Sequence, residues 1–237
     1  MSAVEWYTAL TMTKKVLHPN HNAVPQNFCR LPDGYGVIKI AVSGSADTTY
    51  SGLDAFEKAK ELGREIAKAG AIINTGATTG FPMYAALGAK DECGFSIGFS
   101  PASTEREHVD TYKLPLDYMD VIVYTGFGYS GRDLLLVRSS DAVIIGPGRI
   151  GTLNEFAVAF EDHRPIGILE GDWQTAEFLR EVIAAAHRPN PNIIYDADPK
   201  RIVLKLVDMV QKQKGKDLVY NNHDGWSATG KNAEMIL

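Results

Sequence analysis

From Val37 onward, short apolar runs recur, and between them lie stretches whose apolar residues keep helical spacing. The runs are VIKIAVSG (37–44), AIINTG (71–76), FSIGFS (95–100), DVIVYTG (120–126), DAVIIG (141–146) and PIGILE (165–170). A strand that is apolar on both sides has to be covered on both faces, and the intervening segments are the available cover. Phe56, Ala59, Leu62 and Ile66 share one helix face, with Gly70 placed to end that helix. Further helices are expected through MYAALGAKDEC, DLLLVRSS and TLNEFAVAFED. Another follows Asp172, with Trp173, Ala176, Leu179, Val182 and Ile183 on one side. The last opens at Asp198 and Pro199 and carries Ile202, Leu206, Val207 and Val210. Parallel strands joined this way need right-handed crossovers. The expected fold class is therefore α/β, a Rossmann-like doubly wound parallel sheet with helices on both faces, built as a single domain over residues 37–212. Residues 1–36, with poor periodicity, form an N-terminal extension, and the polar residues 213–237 form a C-terminal tail.

Composition removes several function classes. A formal charge of -5 argues against a protein that grips a nucleic-acid backbone, which takes clustered Lys and Arg. The two cysteines, Cys29 and Cys93, lie in no CxxC or Cys/His cluster, so neither a disulfide framework nor structural zinc is expected. No apolar run approaches the ~20 residues of a membrane span and no export signal opens the chain, which suggests a soluble, cytoplasmic protein without a membrane partner. His18 and His21 have metal-like spacing but sit in a Pro-Asn loop without a third ligand, so no metal site is expected. Asp117 and Asp120 read as loop residues, and Cys93 as packing at a helix end.

In such a fold ligands bind at the carboxyl ends of the strands. Four glycine-containing turns meet at that edge: Ser43 to Ser45, Thr75 to Gly80, Thr125 to Gly131 and Gly146 to Gly151. Each leads from a strand towards a helix, where unpaired N–H groups and the positive end of the helix dipole suit a phosphate. Ser43, Ser45, Thr78, Thr79 and Thr152 add hydroxyls that can donate to a ligand or cap a helix. One such turn is ordinary in any α/β protein; four together favour a ligand site. Gly146-Pro-Gly148-Arg-Ile-Gly151 matches the GxGxxG pattern of dinucleotide binding, with Glu170 further on, but Gly126-Phe-Gly128-Tyr-Ser-Gly131 matches it too, and neither follows the first strand. Glu155, about one turn into its helix, can lean back over the helix start towards a sugar, where an oxocarbenium-like state would develop positive charge. The plainer account is an acid that complements the helix dipole, worth a few tenths to about 1 kcal/mol.

PGRIGTLNE (147–155) fits the signature PGGxGTxxE. TGATTGFPM stands where a GGGxxGLM loop belongs, and Arg132 lies nine residues before Asp141, where an Arg-Lys pair belongs. On these residues the chain, from about Val37 to Lys212, resembles the LOG (lonely guy) phosphoribohydrolase family and its wider superfamily, which includes molybdenum-cofactor carrier proteins. That resemblance implies that Glu155 is the catalytic carboxylate and Arg132 its partner. It implies substrate contacts from Gly44, Ser45, Gly76, Thr78, Gly80, Met83, Gly148, Arg149, Gly151 and Thr152. LOG enzymes hydrolyse nucleoside 5'-monophosphates to free base and ribose 5-phosphate without metal or organic cofactor. The expected partner is thus a small phosphorylated ligand such as a nucleoside monophosphate, with no cofactor, and the expected assembly is a homodimer or larger homo-oligomer. The alternative that the same resemblance implies is a carrier or sensor that binds a nucleotide or molybdopterin-type cofactor without cleaving it. Two departures favour that alternative, Arg149 in place of the second glycine of PGG and Asp133 in place of the lysine; a third, Gly80-Phe-Pro-Met83-Tyr84 in place of GLMG, changes the pocket.

Overall fold

A computed structural model describes residues 37–47, 54–188 and 190–223. His18, His21 and the 1–36 extension lie outside them. Seven strands form one all-parallel sheet: β1 (Lys39–Ser43), β2 (Ile72–Thr75), β3 (Ser96–Ser100), β4 (Val121–Tyr124), β5 (Ala142–Ile145), β6 (Ile166–Leu169) and β7 (Ile193–Asp196). Across the sheet the order is β4, β3, β2, β1, β5, β6, β7. The helices are α1 (Asp54–Lys68), α2 (Phe81–Asp91), α3 (Glu105–Asp110), α4 (Gly128–Arg138), α5 (Ile150–Glu161), α6 (Thr175–Ala186) and α7 (Pro199–His223). The order reverses between β1 and β5, which pair with Ile40 opposite Ala142 and Ser43 opposite Ile145. Such a reversal splits the two flanking connections to opposite faces and opens a crevice at the strand tips.

The two-sided apolar strands do what their composition requires. Ile40 and Val42 of β1, with Ala142 and Ile144 of β5, face a core completed by Leu62 and Ile66 of α1, Phe81 and Ala85 of α2 and Leu206 of α7. The alternate residues Ala41, Val143 and Ile145 face a second core with Leu136 of α4, Phe156 and Ala159 of α5 and Leu179 of α6. Helices cover both faces, as expected.

Helices α1 and α2 approach more closely than side chains normally allow. A methyl group on Gly63 would lie 1.8 Å from the Ala85 carbonyl oxygen, and one on Gly88 would lie 1.9 Å from that of Lys60. Gly63→Ala should therefore destabilise the fold by about 2 kcal/mol, because overpacking (about 1–3 kcal/mol) outweighs the helix-propensity gain of at most ~1 kcal/mol. Urea denaturation checks this, and an unchanged midpoint would mean that the two helices separate at no expense.

Four features depart from expectation. Strand β7 and the short helix α3 were not anticipated, and α7 continues past Lys212 to His223. Cys93 is exposed, in a left-handed conformation (φ 57°) after α2, and is not a packing residue. At the β7 tip, Asp196 accepts hydrogen bonds from Arg201, Lys205 and the Asp198 N–H, the Arg201 guanidinium first among the groups that hold its carboxyl well below the usual range. That cluster ties β7 to the start of α7.

Candidate functional site

The strand tips on either side of the reversal are laced together by backbone. Gly146 N–H donates to Ser43 O (2.9 Å), Ser45 N–H to Pro147 O (2.6 Å) and Phe81 N–H to Ser45 O (3.0 Å). The turns after β1 and β5 and the start of α2 thus form one framework. Beyond it lies a cleft of about 590 Å³, within the range of small-molecule sites. Gly44, Ser45, Gly76, Thr78, Thr79, Arg132, Asp133, Arg149, Gly151, Thr152, Asn154 and Glu155 line it, with Tyr112, Lys113 and Tyr129 on the far wall. All four glycine turns contribute to this edge. Helix α5 begins there with no side-chain cap, which leaves its first-turn N–H groups for a ligand, whereas the first N–H of α2 donates to Ser45 O and that of α4 to Pro101 O.

The glycines serve different purposes, and most are internal. A methyl on Gly44 or Gly146 would meet the Phe81 ring at 2.7 and 2.5 Å. One on Gly76 would fall 1.5 Å from Arg132 Nη1, and one on Gly148 would fall 2.1 Å from Thr152 Oγ1. These glycines admit protein side chains. Gly151 alone among the glycines of this loop faces open space, with nothing within 4 Å of a built methyl.

The chemistry concentrates where α4 and α5 meet β1. Glu155 (7% exposed), Arg132 (6%) and Asp133 (4%) are buried together beside the cleft. Ser43 Oγ donates to Glu155 Oε2. Asp133 and Glu155 both line the cleft. Asp133 Oδ2 also accepts from Asn154 Nδ2 at 2.9 Å, and Asp133 Oδ1 lies 3.1 Å from Arg132 Nε. Arg132 Nε is buried and makes no aligned hydrogen bond, while its guanidinium sits 5.8 Å from the Tyr129 ring centre. Burial pushes the Glu155 carboxyl up to about 7; Arg132 opposes this and Asp133 reinforces it.

Residues 37–203 match the sequence profile of the SLOG cluster4 family. The chain belongs to this family. The molybdenum cofactor binding protein of Rippkaea orientalis is 26% identical, with 73% of this chain and 96% of that one covered at a TM-score of 0.59. The molybdenum cofactor carrier protein of Chlamydomonas reinhardtii is 27% identical, with 74% and 99% covered and a TM-score of 0.57. DNA processing protein A of Helicobacter pylori, at 18% identity over 78% and 84% with a TM-score of 0.52, shares the fold alone. An uncharacterized protein of Archaeoglobus fulgidus is 27% identical over 134 residues, 56% of this chain and 81% of its own length. The LOG-type resemblance and the Rossmann-like sheet are thereby established for this SLOG member.

Of the residues expected at the site, Glu155, Arg132, Gly44, Ser45, Gly76, Thr78, Arg149, Gly151 and Thr152 line the one cleft. Gly148 lines an adjoining cleft of about 880 Å³ on the β6 side, which shares Ser45, Arg149 and Thr152. Gly80 and Met83 line neither: Gly80 turns the chain with φ 73° against Ser45 and Ala46, and Met83 is half-buried one residue past Pro82, which takes its place on the cleft wall. Arg149 does not plug the site. Its side chain is 65% exposed at the rim, 3.9 Å from Asp47. Among the described residues no helix is long and apolar enough to cross a membrane. Asn154, Tyr112 and Lys113 are among the lining residues that escaped the sequence reading. Asn154 sits inside the signature but among its variable positions, and Tyr112 and Lys113 come from the loop after α3, which carries no motif.

Proposed function

We propose that this SLOG protein binds a phosphorylated heterocyclic small molecule, of the molybdopterin or nucleotide type, in the Glu155 cleft and holds it without cleaving it. The observation that carries this is Asp133. Its carboxylate lies 3.1 Å from Arg132 Nε and accepts from Asn154, beside the buried Glu155, so the cation that would serve a reacting sugar is partly neutralised within the protein. First-turn N–H groups of α5 and the hydroxyls of Thr78 and Thr152 supply the phosphate contacts, and the open approach is at Gly151. Tyr129 and Tyr112, edge to face at 5.5 Å, offer ring surfaces to a flat heterocycle. The two molybdenum-cofactor-binding structures above 25% identity support the pterin class.

A second proposal, LOG-type hydrolysis of a nucleoside 5'-monophosphate, is favoured by one observation: Glu155 faces the cleft with a carboxyl near 7, the range of a general acid that protonates a departing base. One experiment separates the two. The protein is equilibrated with molybdenum cofactor and, separately, with AMP, GMP and CMP; retained ligand is measured by dialysis and free base by chromatography. Retention without free base is the expected result. Release of base that Glu155→Gln suppresses makes the protein a hydrolase, and neither retained ligand nor free base removes both proposals.

A further inference from the structure

The turn between β5 and α5 borders two clefts. The Glu155 cleft of about 590 Å³ lies on its β1 side and the adjoining cleft of about 880 Å³ on its β6 side, and Ser45, Arg149, Ile150 and Thr152 line both. The turn is fastened in place, since Gly148 N–H donates to the hydroxyl of Thr175 at the start of α6 (3.0 Å). It also stands where the strand order reverses, the position at which doubly wound sheets lay a two-part nucleotide across the crevice. The two clefts are unlike. Arg132 and Lys113 offset the acids Glu155 and Asp133 in the first. Asp47, Asp172 and Glu177 line the second, where Arg149 is the one cation among the described residues. Three carboxylates repel a phosphate but accept hydrogen bonds from ribose hydroxyls and base amino groups. The second cleft also holds apolar surface that the protein leaves uncovered. Ile150 and Phe178 are both exposed, and Trp173, held by its Nε1 donating to Leu169 O (3.2 Å), lines the same space. That surface suits a flat heterocycle.

Between the clefts the chemistry changes to that of a phosphate site. Gly151 is open to approach, α5 starts without a side-chain cap, and the Arg149 guanidinium, 3.9 Å from Asp47 and too far for a hydrogen bond, is exposed to an arriving anion. We propose that the ligand has two heads. Its pyrophosphate-type bridge rests at the start of α5 beside Arg149, one heterocycle occupies the Glu155 cleft, and a second nucleoside occupies the cleft lined by Trp173 and Phe178. This deepens the binding reading above and rests on it for the first head; the second compartment is assigned from its own lining. It also gives a purpose to the GxGxxG match at 146–151. The acid that such a turn leads one to expect is not Glu170, which pairs with Arg180, but Asp172, two residues on in the second cleft. A two-headed ligand gains because its second contact is intramolecular once the first has formed.

Calorimetric titration of the full chain with two pairs of probes, ADP against diadenosine pyrophosphate and FMN against FAD, reads the second compartment directly. ADP already carries both phosphates, so its partner adds only the second nucleoside. In at least one pair the two-headed member should bind about tenfold or more tightly than its one-headed counterpart. Phe178→Ala, at an exposed position, should shrink that advantage to about threefold or less, and Phe178→Tyr, which keeps a ring there, should retain it. No advantage in either pair, or an advantage that Phe178→Ala leaves at full size, overturns the second compartment; binding of ADP or FMN in that case keeps the reading of the Glu155 cleft. A protein that takes none of the four probes also overturns this proposal, and retention of molybdenum cofactor in the dialysis above then decides that reading on its own.

Discussion

Phe81→Ala should lower stability by about 3–5 kcal/mol, a fall in Tm of roughly 10 °C, and weaken ligand binding with it. Phe81 is fully buried at the first position of α2, beneath the tips of β1 and β5. Its ring occupies the space that side chains at Gly44 and Gly146 would need, and meets Trp173 edge-on at 6.4 Å between centres. Removing it opens a void under the two turns that carry Ser43, Ser45 and Gly148. Close-packed interiors relax only partly around such a void, so both the transfer and cavity contributions are lost. A double mutant gives the sharper measurement. Gly44→Ala should be severely damaging in the wild type, where its methyl would lie 2.7 Å from the ring, and much milder beside Phe81→Ala, where the void accepts it. Equal losses in both backgrounds would show that Phe81 does not hold the turns apart.

That packing explains which parts of the molecule were legible in the sequence. Strands β1, β2, β3, β5 and β6 could be read because burial on both faces favours apolar residues, β4 could be read because its VIVY run is apolar although it lies half-exposed at the sheet edge, and the doubly wound arrangement follows from their alternation with helices. Strand β7 was hidden because Ile193 to Tyr195 at the sheet edge are only half-buried and follow a Pro-Asn-Pro stretch that reads as loop. The end of α7 was hidden because its apolar stripe stops with the core, near Val210, while the helix does not. Glycine positions were visible but their purpose was not. A ligand-approach reading fits Gly151, whereas Gly44, Gly76, Gly146 and Gly148 make room for Phe81, Arg132 and Thr152. Asp133 shows the same limit. Its place beside Arg132 is written in the chain, but its hydrogen bond from Asn154, 21 residues on, exists only once α4 packs on α5.

Glu155→Gln should stabilise the protein at alkaline pH while leaving it nearly unchanged at pH 5. The sign follows from the direction of the shift. The Glu155 carboxyl rises from an ordinary 4.5 to about 7 on folding, chiefly through burial, with Arg132 opposing and Asp133 adding to the rise. The folded state thus holds this proton more tightly than the unfolded chain. Its favourable contribution is complete below about 4.5, shrinks as pH rises through the interval to about 7, and is gone above it. At about 1.4 kcal/mol per unit, the loss is on the order of 3 kcal/mol. A glutamine mimics the protonated acid without titrating, and its carbonyl accepts from Ser43 Oγ as the carboxyl does. At pH 8.5 the variant should therefore exceed wild type by about 2–3 kcal/mol, or roughly 5–8 °C in Tm, with urea midpoints that coincide at pH 5. Parallel stability curves for the two proteins from pH 5 to pH 8.5 would sink the idea that Glu155 holds its proton in the fold. A buried acid that destabilises its own protein at neutral pH, in the wall of a cleft and replaceable by an amide, is hard to explain as packing; strain of this kind is retained where a ligand or a proton transfer uses it.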